Sequence, residues 1–270
     1  MKRQYKRVLS IAGSDPSGGA GIQADLKTFS ACGCYGATAI VAVVDENTVG
    51  VTGVHPIPVP FVAGQIKSVL DDIGADAIKI GMLHSSELIR TVKETLSYYN
   101  IKNIVLDPVM VATSGDKLLQ DEAIQTLKNE LIPFVRVITP NIPEAEIILG
   151  KKIQTQEDLP LVIKDLSFDR SVSVLLKAGH LTNDELVDVF YNAETDEITH
   201  LSSKRIKTQN THGTGCTFSS AIAAYLAHGI SLNDAIIKAK EYINKAILAG
   251  EEYKIGKGHG PVHHFFNFWQ

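Results

Sequence analysis

A cysteine at the end of a run rich in glycine and threonine is the first group in this chain that could do chemistry. Residues 210–217 read Asn-Thr-His-Gly-Thr-Gly-Cys-Thr and stand directly before an Ala-rich predicted helix. Four of them can turn backbone N–H groups and hydroxyls into one concavity: Thr211, Gly213, Thr214 and Gly215. Such a nest suits the charge on a transferring phosphoryl group. We expect the helix field to lower the pKa of Cys216, which makes it a candidate base. The alternative is a small cysteine buried by helix packing.

A glycine-rich segment is the second candidate. Residues 13–21 read Gly-Ser-Asp-Pro-Ser-Gly-Gly-Ala-Gly, after a predicted strand and before a predicted helix. Glycines let the backbone approach a ligand closely, and a helix N-terminus favours anionic or polar groups. Residues 19–24 also fit a loose dinucleotide fingerprint, but six residues separate it from the strand end, and this spacing disfavours a nicotinamide-dependent oxidoreductase. A turn without a ligand stays the alternative.

Polar residues follow three successive predicted strands. Asp107 ends one strand, Asn141 and Glu144 follow the next, and Lys177 follows the last. In an open parallel sheet, ligands bind at the carboxyl ends of the strands. Carboxylates suit Mg²⁺ held through water, and a lysine suits phosphate, so this set favours a cation with a polyphosphate. The alternative is that Asn141 and Glu144 only cap a short helix.

The elements that must position these groups alternate along the chain. Short apolar segments rich in β-branched residues predict buried strands at residues 8–12, 37–44, 77–80, 104–107, 135–139 and 172–177. Amphipathic stretches between them predict helices, and this order indicates a mainly parallel sheet with helices on both faces. Residues 186–191 and 198–201 predict a β-hairpin. The aromatic tail from residue 256 onward is expected to pack back on the body.

Composition narrows the class of protein. The 270 residues carry a formal net charge of −4, with 44% hydrophobic and 21% charged residues. This near balance disfavours a nucleic-acid binder, and the globular mix disfavours a disordered chain. Three cysteines favour a reducing compartment, and the Cys32–Cys34 pair lacks partners for a zinc site. No segment has the length of a signal peptide core or a membrane helix, so we expect a cytoplasmic protein with no membrane partner.

Taken together, the motifs resemble the ribokinase-like superfamily, and within it the hydroxymethylpyrimidine/phosphomethylpyrimidine kinases of thiamine biosynthesis. Seven segments carry the resemblance in the family's order: residues 13–29, 46–48, 79–83, 107–110, 139–144, 211–216 and 256–265. The resemblance implies a ribokinase-like three-layer α/β sandwich, with a mainly parallel central sheet, helices on both faces and a β-hairpin elaboration. It implies one kinase domain over residues 1–270.

The resemblance also implies a reaction and a set of site residues. ATP would phosphorylate the hydroxymethyl group of 4-amino-5-hydroxymethyl-2-methylpyrimidine and then the monophosphate, with Mg²⁺ as the metal. Cys216 matches the base, and Gly213, Thr214 and Gly215 match the phosphoryl nest. Glu46 matches the residue that binds the aminopyrimidine ring. The pocket around that ring would include Gly13, Asp25, Met82 and Val109. The nucleotide would lie against Asn141, Lys177, Thr211 and Lys257. The metal would lie near Asp107 and Glu144.

Two departures from the family pattern and two alternatives stay open. Thr113 stands where the family usually has a lysine, and Asp45 stands where it often has an alanine. Asp45 adds a negative charge near the pyrimidine end. The main alternative is a pyridoxal kinase of the same fold, although Met110 fits the pyrimidine kinases better than the dual-cysteine pyridoxal kinases. A non-catalytic binding protein is disfavoured by the intact Gly-Thr-Gly-Cys run. The superfamily leads us to expect a homodimer.

Overall fold

Strands with little charge form the centre of the molecule. The computed structural model describes residues 3–110, 119 and 121–269. Within these residues, eight strands form one sheet in the order β10-β9-β8-β7-β6-β5-β1-β2 and two more form a separate pair. The strands are β1 Lys6–Ala12, β2 Cys34–Ile40, β3 Ala42–Asn47, β4 Gly50–Pro56, β5 Ala77–Ile80, β6 Ile104–Leu106, β7 Val137–Ile138, β8 Ser173–Leu176, β9 Glu185–Asn192 and β10 Glu197–Lys204.

The central sheet is parallel except at one edge. Strands β2, β1, β5, β6, β7 and β8 pair parallel to their neighbours. Strand β9 runs antiparallel to β8, and β10 runs antiparallel to β9. All four residues of β5 are buried, as expected for a strand with helices on both faces. The predicted α/β sandwich is therefore confirmed.

Helices cover both faces of the sheet. They are α1 Gly21–Ala31, α2 Val59–Asp72, α3 Ser86–Ser97, α4 Asp121–Thr126, α5 Ile142–Leu149, α6 Leu159–Val162, α7 Thr214–Ala227 and α8 Leu232–Gly250. Helix α4 continues into a π-helical turn, Leu127–Leu131, and a short 3₁₀ turn, Ile132–Phe134. On one face, Leu9 and Ile78 pack against α2 and α3; on the other, Val8 and Ala77 pack against α7 and α8. Strand side chains alternate between the two cores because neighbouring residues point to opposite faces.

The predicted strand at residues 37–44 is wrong as a single element. The chain leaves the central sheet at Val41, and β3 then pairs antiparallel with β4 in a separate hairpin. In β3, Ala42 and Val44 are buried while Val43 is 49% exposed. This two-sided pattern belongs to a hairpin rather than to a fully buried strand. The apolar residue types hide the change, since Val43 looks like a core residue in the sequence.

The predicted hairpin at residues 186–201 is confirmed. Its strands, β9 and β10, extend the central sheet at one edge. The separate hairpin is β3–β4, whose pairing shifts register between Asp45 and Glu46. Such a shift marks a bulge, which bends a strand and re-aims its side chains. The tail packs on the body at Val262, His263 and His264, which are buried. The prediction is wrong for the last aromatic residues, since Phe268 and Trp269 are exposed. Within the described ranges, no helix has the length and apolar character needed to cross a membrane.

Candidate active site

A cavity of about 660 Å³ lies at the carboxyl ends of the parallel strands, beside the β3–β4 hairpin. Polar strand ends meet there because parallel strands all finish at the same edge of the sheet. The sequence-predicted site residues that line it are Gly13, Glu46, Met82, Asp107, Val109, Asn141, Glu144, Lys177, Thr211, Gly213, Thr214, Gly215 and Cys216. Asp25 and Lys257 do not line it.

The N-terminus of α7 forms one wall of this cavity. Gly213 caps the helix in a left-handed conformation, with φ of 74°. A Cβ at Gly213 would collide with the carbonyl of Gly19 in the glycine-rich segment, so only glycine fits this turn. The Thr214 hydroxyl donates to the Thr211 carbonyl at 2.7 Å. No acceptor is found among the described residues for the N–H groups of Gly215 and Cys216, and these can bind an anion.

Cys216 lies in the first turn of α7 with its side chain in a crowded setting. Burial raises the pKa of the Cys216 thiol to about 11, although the positive charge of Lys79 and an N–H donated by Gly21 oppose this. The expectation that the helix field lowers this pKa is therefore wrong for the free protein. Loss of hydration outweighs the helix dipole, because desolvation penalises the charged form directly.

Three side chains meet where the hairpin covers the glycine-rich segment. Asp15 accepts hydrogen bonds from the N–H groups of Gly19 and Ala20 and lies 2.8 Å from Nε2 of His212. Ligand atoms of Asp15, Glu46 and His212 all lie within 4.8 Å of one another. Oδ2 of Asp15 accepts from all three of its partners: the N–H groups of Gly19 and Ala20, and the His212 ring. These bonds hold the glycine-rich segment against the turn before α7.

The same cluster controls the ionisation of Glu46. Burial and the neighbouring charge of Asp15 raise the pKa of Glu46. Burial favours neutral Asp15, yet the hydrogen bond from His212 and those from the loop hold the pKa of Asp15 well below its usual range. Burial opposes a charge on His212, but its hydrogen bond to Asp15 raises the pKa. Of the two carboxyl groups in this cluster, Glu46 is therefore the one whose acid form is favoured.

A lysine and an aspartate meet at the strand ends. Nζ of Lys177 lies 3.0 Å from Oδ1 of Asp107, which also accepts from the Thr139 hydroxyl at 3.0 Å. Burial opposes the ionised form of Asp107, but the charges of Lys177 and Lys79 lower its pKa. The site thus keeps a carboxylate and an ammonium side by side at the edge of the cavity.

Asn141 and Glu144 form a capping box at the start of α5. The Asn141 side chain accepts from the Glu144 N–H at 3.0 Å, and Oε2 of Glu144 accepts from the Asn141 N–H at 2.8 Å. The helix-capping alternative is confirmed, and both residues also line the cavity. Burial raises the pKa of Glu144 to about 7, while Lys177 opposes this shift.

Comparisons with known proteins agree with this geometry. A family model described as phosphomethylpyrimidine kinase matches residues 15–263. The chain is 46% identical over 263 residues to the hydroxymethylpyrimidine/phosphomethylpyrimidine kinase of Rhizobium meliloti, covering 97% of this chain and 98% of that protein.

The chain belongs to the phosphomethylpyrimidine kinase family.

Solved structures of two differently named kinases are similar to this chain. A phosphomethylpyrimidine kinase of Clostridium difficile is 43% identical, with a TM-score of 0.78 over 89% of this chain and 99% of that one. The pyridoxal kinase of Staphylococcus aureus, solved with ADP, is 36% identical, with a TM-score of 0.89 over 98% of this chain and 96% of that one. The predicted family, kinase activity and ribokinase-like fold are thereby confirmed.

Two predicted site residues of this kinase lie away from the cavity. Asp25 is fully buried on α1, and both of its carboxylate oxygens lie 2.9 Å from Nζ of Lys79. Lys79 itself lines the cavity, so Asp25 reaches the site only through this lysine. Lys257 is exposed in the tail, where its N–H donates to the Thr48 hydroxyl at 3.2 Å. This bond ties the tail to the turn of the hairpin, and a nucleotide contact by Lys257 stays a prediction.

The two departures from the family pattern also have places in the chain. Asp45 is exposed on β3 and does not line the cavity, so the expected charge at the pyrimidine end is not inside it. Thr113 lies outside the described residues.

Sequence reasoning missed Lys79, Asp15 and His212 of this kinase as site residues. Each stood inside a segment that carried the resemblance, but nothing local marked it. A lysine within an apolar strand was the available signal for Lys79, since an unpaired lysine is almost never buried.

Proposed function

We propose that this kinase transfers the γ-phosphoryl group of ATP to the hydroxymethyl oxygen of 4-amino-5-hydroxymethyl-2-methylpyrimidine, and then phosphorylates the monophosphate to the diphosphate. The observation that carries the proposal is the shared position of Cys216 and two free N–H groups at one helix tip, inside the cavity that Glu46 also lines. Phosphoryl transfer needs alignment and charge stabilisation more than covalent chemistry, and this arrangement offers both.

Each group has a role in the transfer. The Cys216 thiolate accepts the proton of the hydroxymethyl group while the alcohol oxygen attacks the γ-phosphorus. The bond from that phosphorus to the ADP oxygen breaks as the new bond forms. The N–H groups of Gly215 and Cys216 bind the phosphoryl oxygens, and the dipole of α7 favours their charge. Lys177 is placed to neutralise further phosphate charge.

Glu46 is suited to the aminopyrimidine ring. Its raised pKa favours the carboxylic acid, which carries one donor and one acceptor. The acid donates to a ring nitrogen while its carbonyl oxygen accepts from the exocyclic amine. A protonated glutamate thus presents the same pair of groups as a glutamine side chain. Gly13, Met82 and Val109 line the cavity around this end.

The acidic residues at the strand ends fit a magnesium ion bound mainly through water and phosphate. Mg²⁺ commonly takes one or two carboxylates, with waters and substrate phosphates completing its shell. Asp107 and Glu144 provide two carboxyl groups on the cavity wall, and Lys177 already binds one oxygen of Asp107. These two residues would hold the ion, which supplies neutralisation of charge on the transferring phosphates.

A side-by-side assay tests the substrate. Purified protein with ATP and Mg²⁺ is given the pyrimidine alcohol, its monophosphate and pyridoxal, and kcat/KM is measured for each. We expect the highest values for the two pyrimidines.

Pyridoxal kinase activity is the second candidate, favoured by the likeness to the Staphylococcus aureus enzyme over nearly the whole chain. Met110 is fully buried and does not line the cavity, whereas Val109 does. A higher kcat/KM for pyridoxal would replace the proposed substrate.

A further inference from the structure

A fully buried ion pair lies behind the α7 tip. Lys79 on β5 and Asp25 on α1 both have side chains without solvent exposure. Asp25 also accepts from the Ser10 hydroxyl at 2.6 Å and from the Ser220 hydroxyl at 2.7 Å. One carboxylate thereby joins β1, β5, α1 and α7. Burying two charges costs several kcal/mol per ion before they pair, and apolar residues of similar volume would hold these elements at least as well. The charge itself therefore calls for a role.

Lys79 and Cys216 line the same cavity. An ammonium has three N–H donors, and the two contacts to Asp25 leave one for another acceptor. Gly81 lies beside the ammonium group of Lys79. A Cβ at this position would stand 3.0 Å from Nζ, so any other residue would crowd the ammonium group. Ser220 follows Cys216 by one turn of α7, and its bond to Asp25 holds that turn against Lys79. These contacts thus fix the position of the N-terminus of α7 relative to the ammonium group of Lys79.

We propose that Lys79, held by Asp25, is a positioning residue whose positive charge favours ionisation of the partly buried Cys216 thiol. The inference rests on the proposed role of Cys216 as the base. It explains how a thiol that has lost its hydration can still give up a proton: a nearby cation stabilises the thiolate. Met or Leu would fill the same space but would not stabilise the thiolate.

Four charged groups act on this thiol from the surrounding elements. Lys79 comes from β5, Asp25 from α1, Asp107 from the end of β6 and Lys177 from the end of β8. Each aspartate contacts one of the lysines, Asp25 with Lys79 at 2.9 Å and Asp107 with Lys177 at 3.0 Å. Removing the charge of Lys79 leaves Asp25 unbalanced, and both changes disfavour the thiolate.

The test measures the alkylation rate of Cys216 by iodoacetamide, in which the thiolate displaces iodide. The full chain, in EDTA and without nucleotide, is alkylated at several pH values and Cys216 is followed by peptide mass spectrometry. Lys79→Gln removes the charge but keeps a donor for Asp25. We expect its Cys216 to react at least about tenfold more slowly at a given pH, which corresponds to a pKa raised by about one unit or more. An unchanged rate in the folded variant would overturn the proposal.

Internal controls separate charge from loosened structure. Cys34 is buried beneath α7, so a merely destabilised fold exposes Cys34 and speeds its alkylation. We expect Cys34 to stay protected in Lys79→Gln. Lys240→Met is the matched control, since it removes another buried lysine: Lys240 of α8, whose Nζ lies 2.7 Å from Asp188 of β9. Its Cys216 should react at the wild-type rate; slowing equal to that of Lys79→Gln would count against a specific effect of Lys79.

A second variant keeps the test decisive if Lys79→Gln fails to fold. The double substitution Lys79→Met with Asp25→Leu replaces the pair by apolar side chains, which buried sites often accept. The loss of Asp25 removes a charge that disfavours the thiolate, but Lys79 acts on the thiol more strongly than Asp25 does. Slower Cys216 alkylation in this variant therefore supports the proposal, and a wild-type rate overturns it. The alkylation readout needs no phosphoryl transfer. If Cys216→Ala keeps its turnover, the proposed base fails while the effect of Lys79 on the thiol still stands or falls by its own measurement.

Discussion

At the scale of single residues, the ionisation of the site is set by neighbours distant in sequence. The dipole of α7 and the N–H of Gly21 both stabilise the Cys216 thiolate, yet burial raises the pKa of the thiol to about 11. Glu46 is pushed towards its acid form by burial and by Asp15, which His212 keeps ionised. One cavity thus holds a thiol and a carboxyl group whose pKa values are both raised by burial.

Cys216→Ala tests the base. We expect kcat to fall about 100-fold or more, the usual contribution of a general base, with little change in affinity for the pyrimidine. The measurements are steady-state kinetics and calorimetric titration of the pyrimidine alcohol. Cys32→Ala is the control, because Cys32 does not line the cavity. A near-normal kcat in Cys216→Ala would show that another group takes the proton.

Glu46→Ala tests recognition of the ring. We expect the KM for the pyrimidine to rise about tenfold or more while the KM for ATP changes little, since a hydrogen-bonded carboxyl group is lost from one substrate only. Glu46→Gln should keep most of the affinity because it presents a donor and an acceptor without ionising. Asp45→Ala, an exposed neighbour on β3, is the control. Equal rises in both KM values would rule out Glu46 as the ring-binding residue.

At the scale of elements, turns decide where the chemistry sits. The β3–β4 hairpin brings Glu46 over the glycine-rich segment, and its register shift falls at Glu46 itself. The turn before α7 packs Gly213 against Gly19, so the two glycine-containing motifs meet backbone to backbone. Each motif alone is an ordinary loop, and their contact creates the anion nest.

Gly213→Ala tests that contact. Ala at a positive φ costs about 1 kcal/mol of stability, and here the added methyl group also collides with the Gly19 carbonyl. Gly229→Ala is the matched control, since Gly229 has φ of 81° and no atom within 4 Å of its Cβ position. We expect urea unfolding to show a larger loss of stability for Gly213→Ala, together with a loss of kcat. Equal losses of stability in the two variants would contradict the packing argument.

At the scale of the whole molecule, the tail closes the core behind α7. The His264 ring lies 3.0 Å from the Thr217 hydroxyl, and its carbonyl accepts from Tyr242 at 2.7 Å. Burial and the charge of Lys27 together lower the pKa of His264 from 6.5 to about 3. The tail thus packs back on the body at His264. Its packing buries a histidine side chain that must stay neutral in the folded protein. One domain over residues 1–270, homodimerisation and a cytoplasmic location stay predictions.

This buried histidine predicts a pH dependence of stability. Its folded pKa of about 3 lies below the unfolded value of 6.5, so the unfolded chain binds more protons between these values. The stability present above pH 6.5 is therefore lost as pH falls towards 3, by at most about 1.4 kcal/mol per pH unit. Urea unfolding at pH 7.5 and pH 5 should show a smaller difference for His264→Gln than for the wild type. His55→Gln, exposed on β4, should match the wild type; the same difference in all three proteins would contradict this account.

The sequence by itself determined the strand and helix order, the family and most of the residues around the cavity. Local pattern suffices there, because parallel strands are continuous apolar runs and their polar ends must share one edge of the sheet. Only the tertiary structure decided that the chain leaves the central sheet at Val41 to form the hairpin carrying Glu46. It also decided that Asp25 forms an ion pair with Lys79 and does not line the cavity. It also reversed the expected pKa shift of Cys216. Burial and pairing between distant elements set these features, and neither can be read from neighbouring residues in the chain.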